Sequence, residues 1–115
     1  MVANLDDAKE PVETDEDGLE RDLAPQNIFD RVVFGRRLRA ARVLAGYDRV
    51  SQLTQVLRSR YGIDVSDRTI YAIERGEQTP HIDFYLGVQA ALALPMDYFQ
   101  PAVRHDVIKA IKANG

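Results

Sequence analysis

A chain of 115 residues and 13.0 kDa has room for one domain, and it holds no cysteine, which excludes a disulfide framework and a thiolate metal site and fits a reducing compartment. The net charge of −3 is unevenly spread: residues 1–26 carry nine acids (Asp6, Asp7, Glu10, Glu13, Asp15, Glu16, Asp17, Glu20, Asp22) against Lys9 and Arg21, a balance of −7. Residues 27–115 set the other nine acids against thirteen Lys and Arg, a balance of +4, so a pI near 5.3 does not exclude a polyanion as partner.

Met1 to Gln26 has few large apolar residues and dense charge, too little to offset the entropy of ordering a chain. It is expected to be a disordered acidic tail. Its role is either to solubilise, or to compete with nucleic acid for the basic face or recruit a partner. The apolar residues that follow come in short periodic groups, with neither a membrane span nor a signal peptide. A cytoplasmic protein is expected.

From Asn27 a 3.6-residue period begins. Phe34, Leu38, Ala41 and Ala45 share one stripe of a first helix, capped by either Asn27 or Asp30 and stopped at Gly46. Asp48 is placed to cap a second helix, with Val50, Leu53, Leu57 and Tyr61 inward, Arg49, Arg58 and Arg60 off that stripe, and Gly62 as its stop.

The third helix has the fullest punctuation. In "VSDRTIYAIERG", Ser66 is a good N-cap, Val65 and Ile70 stand at the two positions of a hydrophobic staple, and Gly76 ends the helix. Ile70 and Ile73 define a buried side. At 100° per residue Arg68, Tyr71, Ala72 and Arg75 fall opposite.

A fourth helix is predicted from Ile82 to Ala93, burying Ile82, Leu86 and Ala90 with Leu92 or Ala93. A one-turn element at Pro95–Phe99 and a C-terminal amphipathic helix marked by Val103, Val107, Ile108 and Ile111 complete the chain. The pattern predicts an all-α fold: a compact bundle of five to six short helices. Its divisions are the tail at 1–26, a helix-turn-helix domain at 27–100 and a C-terminal helix at 101–115.

These residues resemble the lambda-repressor/Cro-like, or XRE-like, family of helix-turn-helix DNA-binding proteins. The resemblance rests on "LRAAR" with Gly46, on Val65, Ser66, Thr69, Ile70, Ile73, Glu74 and Gly76 of the third helix, and on "PHIDFYLGVQAALALPMDYF". Three features depart from the family: Ser51 and Gln52 lie next to Leu53 rather than a turn earlier, the chain is longer between Leu57 and Val65, and Gln89 replaces a small apolar residue. The longer connection is similar to that of actinobacterial and actinophage members.

The resemblance implies that Asp67, Arg68 and Ala72, with Tyr71 beside them, face base edges. Arg68 has the chemistry to bond guanine with two donors, and Asp67 either accepts from cytosine or stabilises the helix start. Ser66, Thr69, Arg75, Gln78, Thr79, His81 and Arg49 surround that face as phosphate contacts or as ordinary solvated polarity. The family further implies that Arg42 and Glu74 form a structural ion pair. Val103, Val107, Ile108 and Ile111 either form a homodimer or pack on the chain's own core.

The expectation is a regulator of transcription that binds double-stranded DNA, most simply a phage or cellular repressor acting by operator occupancy. The alternative is an antitoxin-like or protein-interaction module on the same scaffold. His81 and His105 are the only histidines, no metal-ligand spacing accompanies them and no glycine-rich phosphate loop occurs, so no enzyme, cofactor, metal or small-molecule ligand is expected.

Overall fold

Asp30, not Asn27, starts the first helix: its Oδ1 accepts from the Val32 and Val33 N–H groups at 3.0 and 3.1 Å. The computed structural model describes residues 27–115; the expected acidic tail, residues 1–26, lies outside them. Among the described residues the fold is all-helical, with α1 (Arg31–Leu44), α2 (Val50–Tyr61), α3 (Asp67–Glu74), α4 (Ile82–Ala91) and α5 (His105–Asn114). A 3₁₀ turn, Gln100–Ala102, separates the last two. None of these helices is long and apolar enough to cross a membrane.

Helix ends follow local chemistry. Gly46, at φ +91°, closes α1: its N–H and that of Tyr47 bond back to the Val43 and Arg42 carbonyls, the paired bonds of a Schellman end. At the end of α4 the same bond pair is made by Ala93 and Leu94, with Ala93 itself left-handed at φ +52°. That helix therefore stops at Ala91, short of the predicted Ala93.

Asp48 does not cap α2. Its carbonyl instead accepts from Arg42 Nη1 at 3.0 Å, and the helix begins one residue later with Arg49 as N-cap. Gln52 Oε1 accepts from the Arg49 N–H at 2.9 Å, which satisfies the backbone donor of the N-cap residue.

The core is formed by Phe34 and Leu38 of α1, Leu53 and Leu57 of α2, Ile70 and Ile73 of α3, Val88 of α4, and Phe99. Phe34 is its aromatic centre, with ring centroids 4.2 Å from Phe99 and 5.4 Å from both Phe29 and Tyr85. α1 packs on α3, and α2 on both α3 and α4. Two residues of the predicted stripes fall outside: Ala45 is the exposed cap residue after α1, and Tyr61 at the end of α2 is exposed.

α4 corrects the sequence reading. Ile82 and Leu86 are 67% and 55% exposed and Ala90 is exposed, whereas Phe84, Gly87, Val88 and Gln89 face inward, with Leu92 buried just beyond the helix. Apolar residues run nearly round this helix, so two stripes share one spacing and periodicity alone does not choose between them. Packing chooses the stripe that contains Gly87, because a Cβ there would collide with Ile63 and press on Leu57. Gln89 is buried without penalty, since its Nε2 donates to the Pro95 carbonyl at 2.9 Å.

The predicted one-turn element is an irregular turn closed by Tyr98 N–H to Pro95 O, and the regular 3₁₀ turn follows it. Arg37 clamps this region to α1. Its Nε donates to the Tyr98 carbonyl at 2.6 Å, its guanidinium lies 4.4 Å from the Tyr98 ring, and Tyr98 Oη donates back to the Arg37 carbonyl at 2.8 Å. The core then runs past residue 100, because Ala102 is buried and Phe29 pairs with Val103 in an antiparallel bridge. Bonds from Asp30 N–H to Ala102 O (2.6 Å) and Arg104 N–H to Ile28 O (2.8 Å) hold that bridge. The C-terminal element proper is α5, none of whose residues is fully buried.

Gly35 sets the distance between α1 and α3. A Cβ at this position would stand 2.5 Å from the Glu74 carbonyl oxygen and equally close to that of Ile73, and backbone does not yield as a side chain does. Gly35→Ala is expected to cost about 1–3 kcal/mol from overpacking, even though alanine is the better helix former by about 1 kcal/mol. The check is the urea midpoint, and an unchanged or raised midpoint would show that the two helices part freely.

Candidate nucleic-acid interface

α3 is short, and eight residues do not hold a helix in water unaided. Its start is fixed by Ser66, whose Oγ accepts from the Thr69 N–H at 3.2 Å and shares a second hydrogen bond of 3.0 Å with the Thr69 hydroxyl. Val65 and Ile70 are both buried at the staple positions, and Asp67 places negative charge in the first turn, where the helix dipole favours it. Ile70, Ile73 and Glu74 face the core. Arg68, Tyr71 and Arg75 are exposed on the other side, with Ala72 half-buried between them.

Glu74 is the rear anchor. Arg42 Nε and Nη2 donate to its two carboxylate oxygens at 2.7 and 3.0 Å, and both side chains are only 4% exposed. Arg42 Nη1 donates further to the carbonyls of Tyr47 and Asp48 at 2.7 and 3.0 Å. The hydrogen bonds to Glu74 hold the Arg42 pKa above its ordinary value. One guanidinium thus joins α1, the α1–α2 turn and α3. It also brings the start of α2, with Arg49, beside the last turn of α3.

The residues expected to hold phosphates divide into separate places. Ser66, Thr69, Gln78 and His81 together line an open groove of about 900 Å³ between the α2–α3 connection and α4. Thr79 is exposed in the loop after α3. Arg75 is engaged by Glu77, Nε to Oε2 at 3.1 Å and Nη2 to Oε1 at 3.0 Å, which raises the Arg75 pKa and lowers that of Glu77. Such an exposed pair contributes little, so exchanging Glu77 for a phosphate is inexpensive.

The outer face of α1 adds basic residues that the apolar stripes do not single out. Gly76 lies directly against Val32, which brings the C-terminal end of α3 to the first turn of α1. Arg36 and Arg39 follow Val32 on the same side at helical spacing, and both are exposed. The signal was present as arginines off the apolar stripe. Among the described residues Arg31, Arg36, Arg39, Arg49, Arg60 and Arg68 have no carboxylate within ion-pair distance, in contrast to Arg42, Arg58, Arg75 and Arg104.

Two of the residues expected to form a dimer, Val103 and Ile108, line a groove with Asn27, Ile28 and Asp30 ahead of α1. Val103 is half-buried at the bridge with Phe29, Val107 and Ile108 are half-buried on α5, and Ile111 is 60% exposed.

Comparison with protein-family models, with curated proteins and with solved structures returns no match.

Proposed function

We propose that the chain binds double-stranded DNA through α3 and represses transcription in the cytoplasm by occupying an operator, as the lambda-repressor/Cro-like family does. One observation carries this reading. Arg68 and Tyr71 project from a helix whose N-cap and buried side are satisfied by other residues, and among the described residues neither side chain makes a hydrogen bond or ion pair. B-form DNA's major groove, about 12 Å wide, admits such a helix, and Arg68 has the donors for guanine O6 and N7. The surrounding arginines that meet no carboxylate among the described residues supply the sequence-independent share of affinity. In this reading α5 joins two copies, so the site is an inverted repeat.

The test is selection of bound fragments from random duplex DNA with wild type and Arg68→Ala. The expected result is an enriched inverted repeat that loses one base preference in the variant, a contact worth about 1–3 kcal/mol. No enrichment with either protein at modest salt refutes the reading.

A protein-binding role, as in an antitoxin, is the second reading. It is favoured by the exposed Ile82 and Leu86 of α4, since Leu86 also lines the groove that holds Ser66 and His81.

A further inference from the structure

Arg75 at the end of α3 is held by Glu77, but Arg68 of α3 and Arg36 and Arg39 of α1 meet no carboxylate among the described residues, while the −7 balance of residues 1–26 sits in the same chain. Geometry brings the two close. Residue 27 leads directly into the Asp30 cap of α1, and Val32 in the first turn of α1 touches Gly76 at the end of α3. The acidic segment therefore enters the fold a few residues ahead of the contact between α1 and the end of α3. Twenty-six residues reach roughly 85 Å when extended, against about 12 Å for the whole of α3, so length imposes no restriction.

Charge spacing gives the stronger argument. Glu13, Asp15, Glu16 and Asp17 place four acids in five residues. In an extended chain Glu13, Asp15 and Asp17 share one face at roughly 7 Å intervals, with Glu16 on the other, a row of negative charge of the kind a nucleic-acid backbone presents. A surface built to accept phosphates in a row also accepts this row.

Resting on the reading of α3 as a polyanion-binding face, we propose that residues 1–26 bind that face within the same chain and compete with DNA for it. Contact with Arg68 and the α1 arginines competes with weak, non-specific polyanions for the same side chains. A cognate duplex displaces the segment because it adds base contacts that carboxylates lack. Apparent affinity falls by the fraction of molecules with the face open, so occupancy of nine-tenths weakens binding about tenfold. The effect fades with salt, because both partners are exposed.

The test keeps the full chain. A variant with Asp→Asn at 6, 7, 15, 17 and 22 and Glu→Gln at 10, 13, 16 and 20 is compared with wild type. Affinity is read on a random-sequence duplex, and amide spectra are recorded without DNA. Because the chain has no cysteine, a spin label on Thr14→Cys has a single attachment point. The expected results are about tenfold tighter duplex binding by the neutralised variant, shifted amides from Arg68 to Arg75, and label-induced broadening of those amides that vanishes at roughly 0.5 M salt.

Tighter binding with the α3 amides unmoved is a net-charge effect and overturns the inference, as does broadening confined to another face. If neither protein binds duplex while the α3 amides still respond, the intramolecular contact stands and the DNA-binding reading fails.

Discussion

Glu74→Ala is expected to cost about 3–5 kcal/mol, because it leaves the Arg42 guanidinium buried without its carboxylate. Arg42→Ala does the reverse and in addition strips the Tyr47 and Asp48 carbonyls of their donor, so its loss is at least as large. Small domains are stable by only about 5–15 kcal/mol, so either variant approaches the unfolding threshold at ambient temperature. The double variant Arg42→Met with Glu74→Met is expected to be more stable than either single alanine variant, since it removes both charges and keeps the volume. Denaturant melts of the set decide the matter. Small, independent losses from the two alanine substitutions would show that the pair is incidental.

Phe34→Ala is the second large effect, also about 3–5 kcal/mol. The ring is fully buried and touches the rings of Phe29, Tyr85 and Phe99, so its removal opens a cavity bounded by α1, α4 and the 3₁₀ region at once. Those walls belong to three elements that cannot all move inward, which puts the site at the costly end of large-to-small changes. Phe34→Leu, which leaves a smaller void, is expected to lose less, and thermal melts of the pair measure the difference. Equal losses for alanine and leucine would mean that ring stacking, not filled volume, holds these elements together.

What was legible in the sequence was local. Ser66, Gly46, Gly62 and Gly76 mark helix ends because capping is a bargain between residues a few positions apart, and the two faces of α3 follow from two isoleucines at helical spacing. What was hidden depends on residues far along the chain. The buried stripe of α4 was misassigned because Ile82, Leu86 and Ala90 repeat as regularly as Phe84 and Val88, and only the approach of Ile63 to Gly87 separates them. The start of α2 shifted from Asp48 to Arg49 because Arg42 claims the Asp48 carbonyl. Gly35 looks like an ordinary helix residue in sequence, since nothing near it announces the backbone of α3 lying against it.

The division of α3 into a held side and an unburdened side bears on how this chain changes over evolutionary time. Substitution at Ile70, Ile73 or Glu74 disturbs the core, so selection for a stable fold acts on those positions directly. Arg68 and Tyr71 carry no hydrogen bond or ion pair among the described residues, and on the proposed reading they answer to what they touch outside the molecule. On that reading a lineage can exchange them and acquire a new target without passing through an unstable intermediate, and related chains are expected to diverge there first.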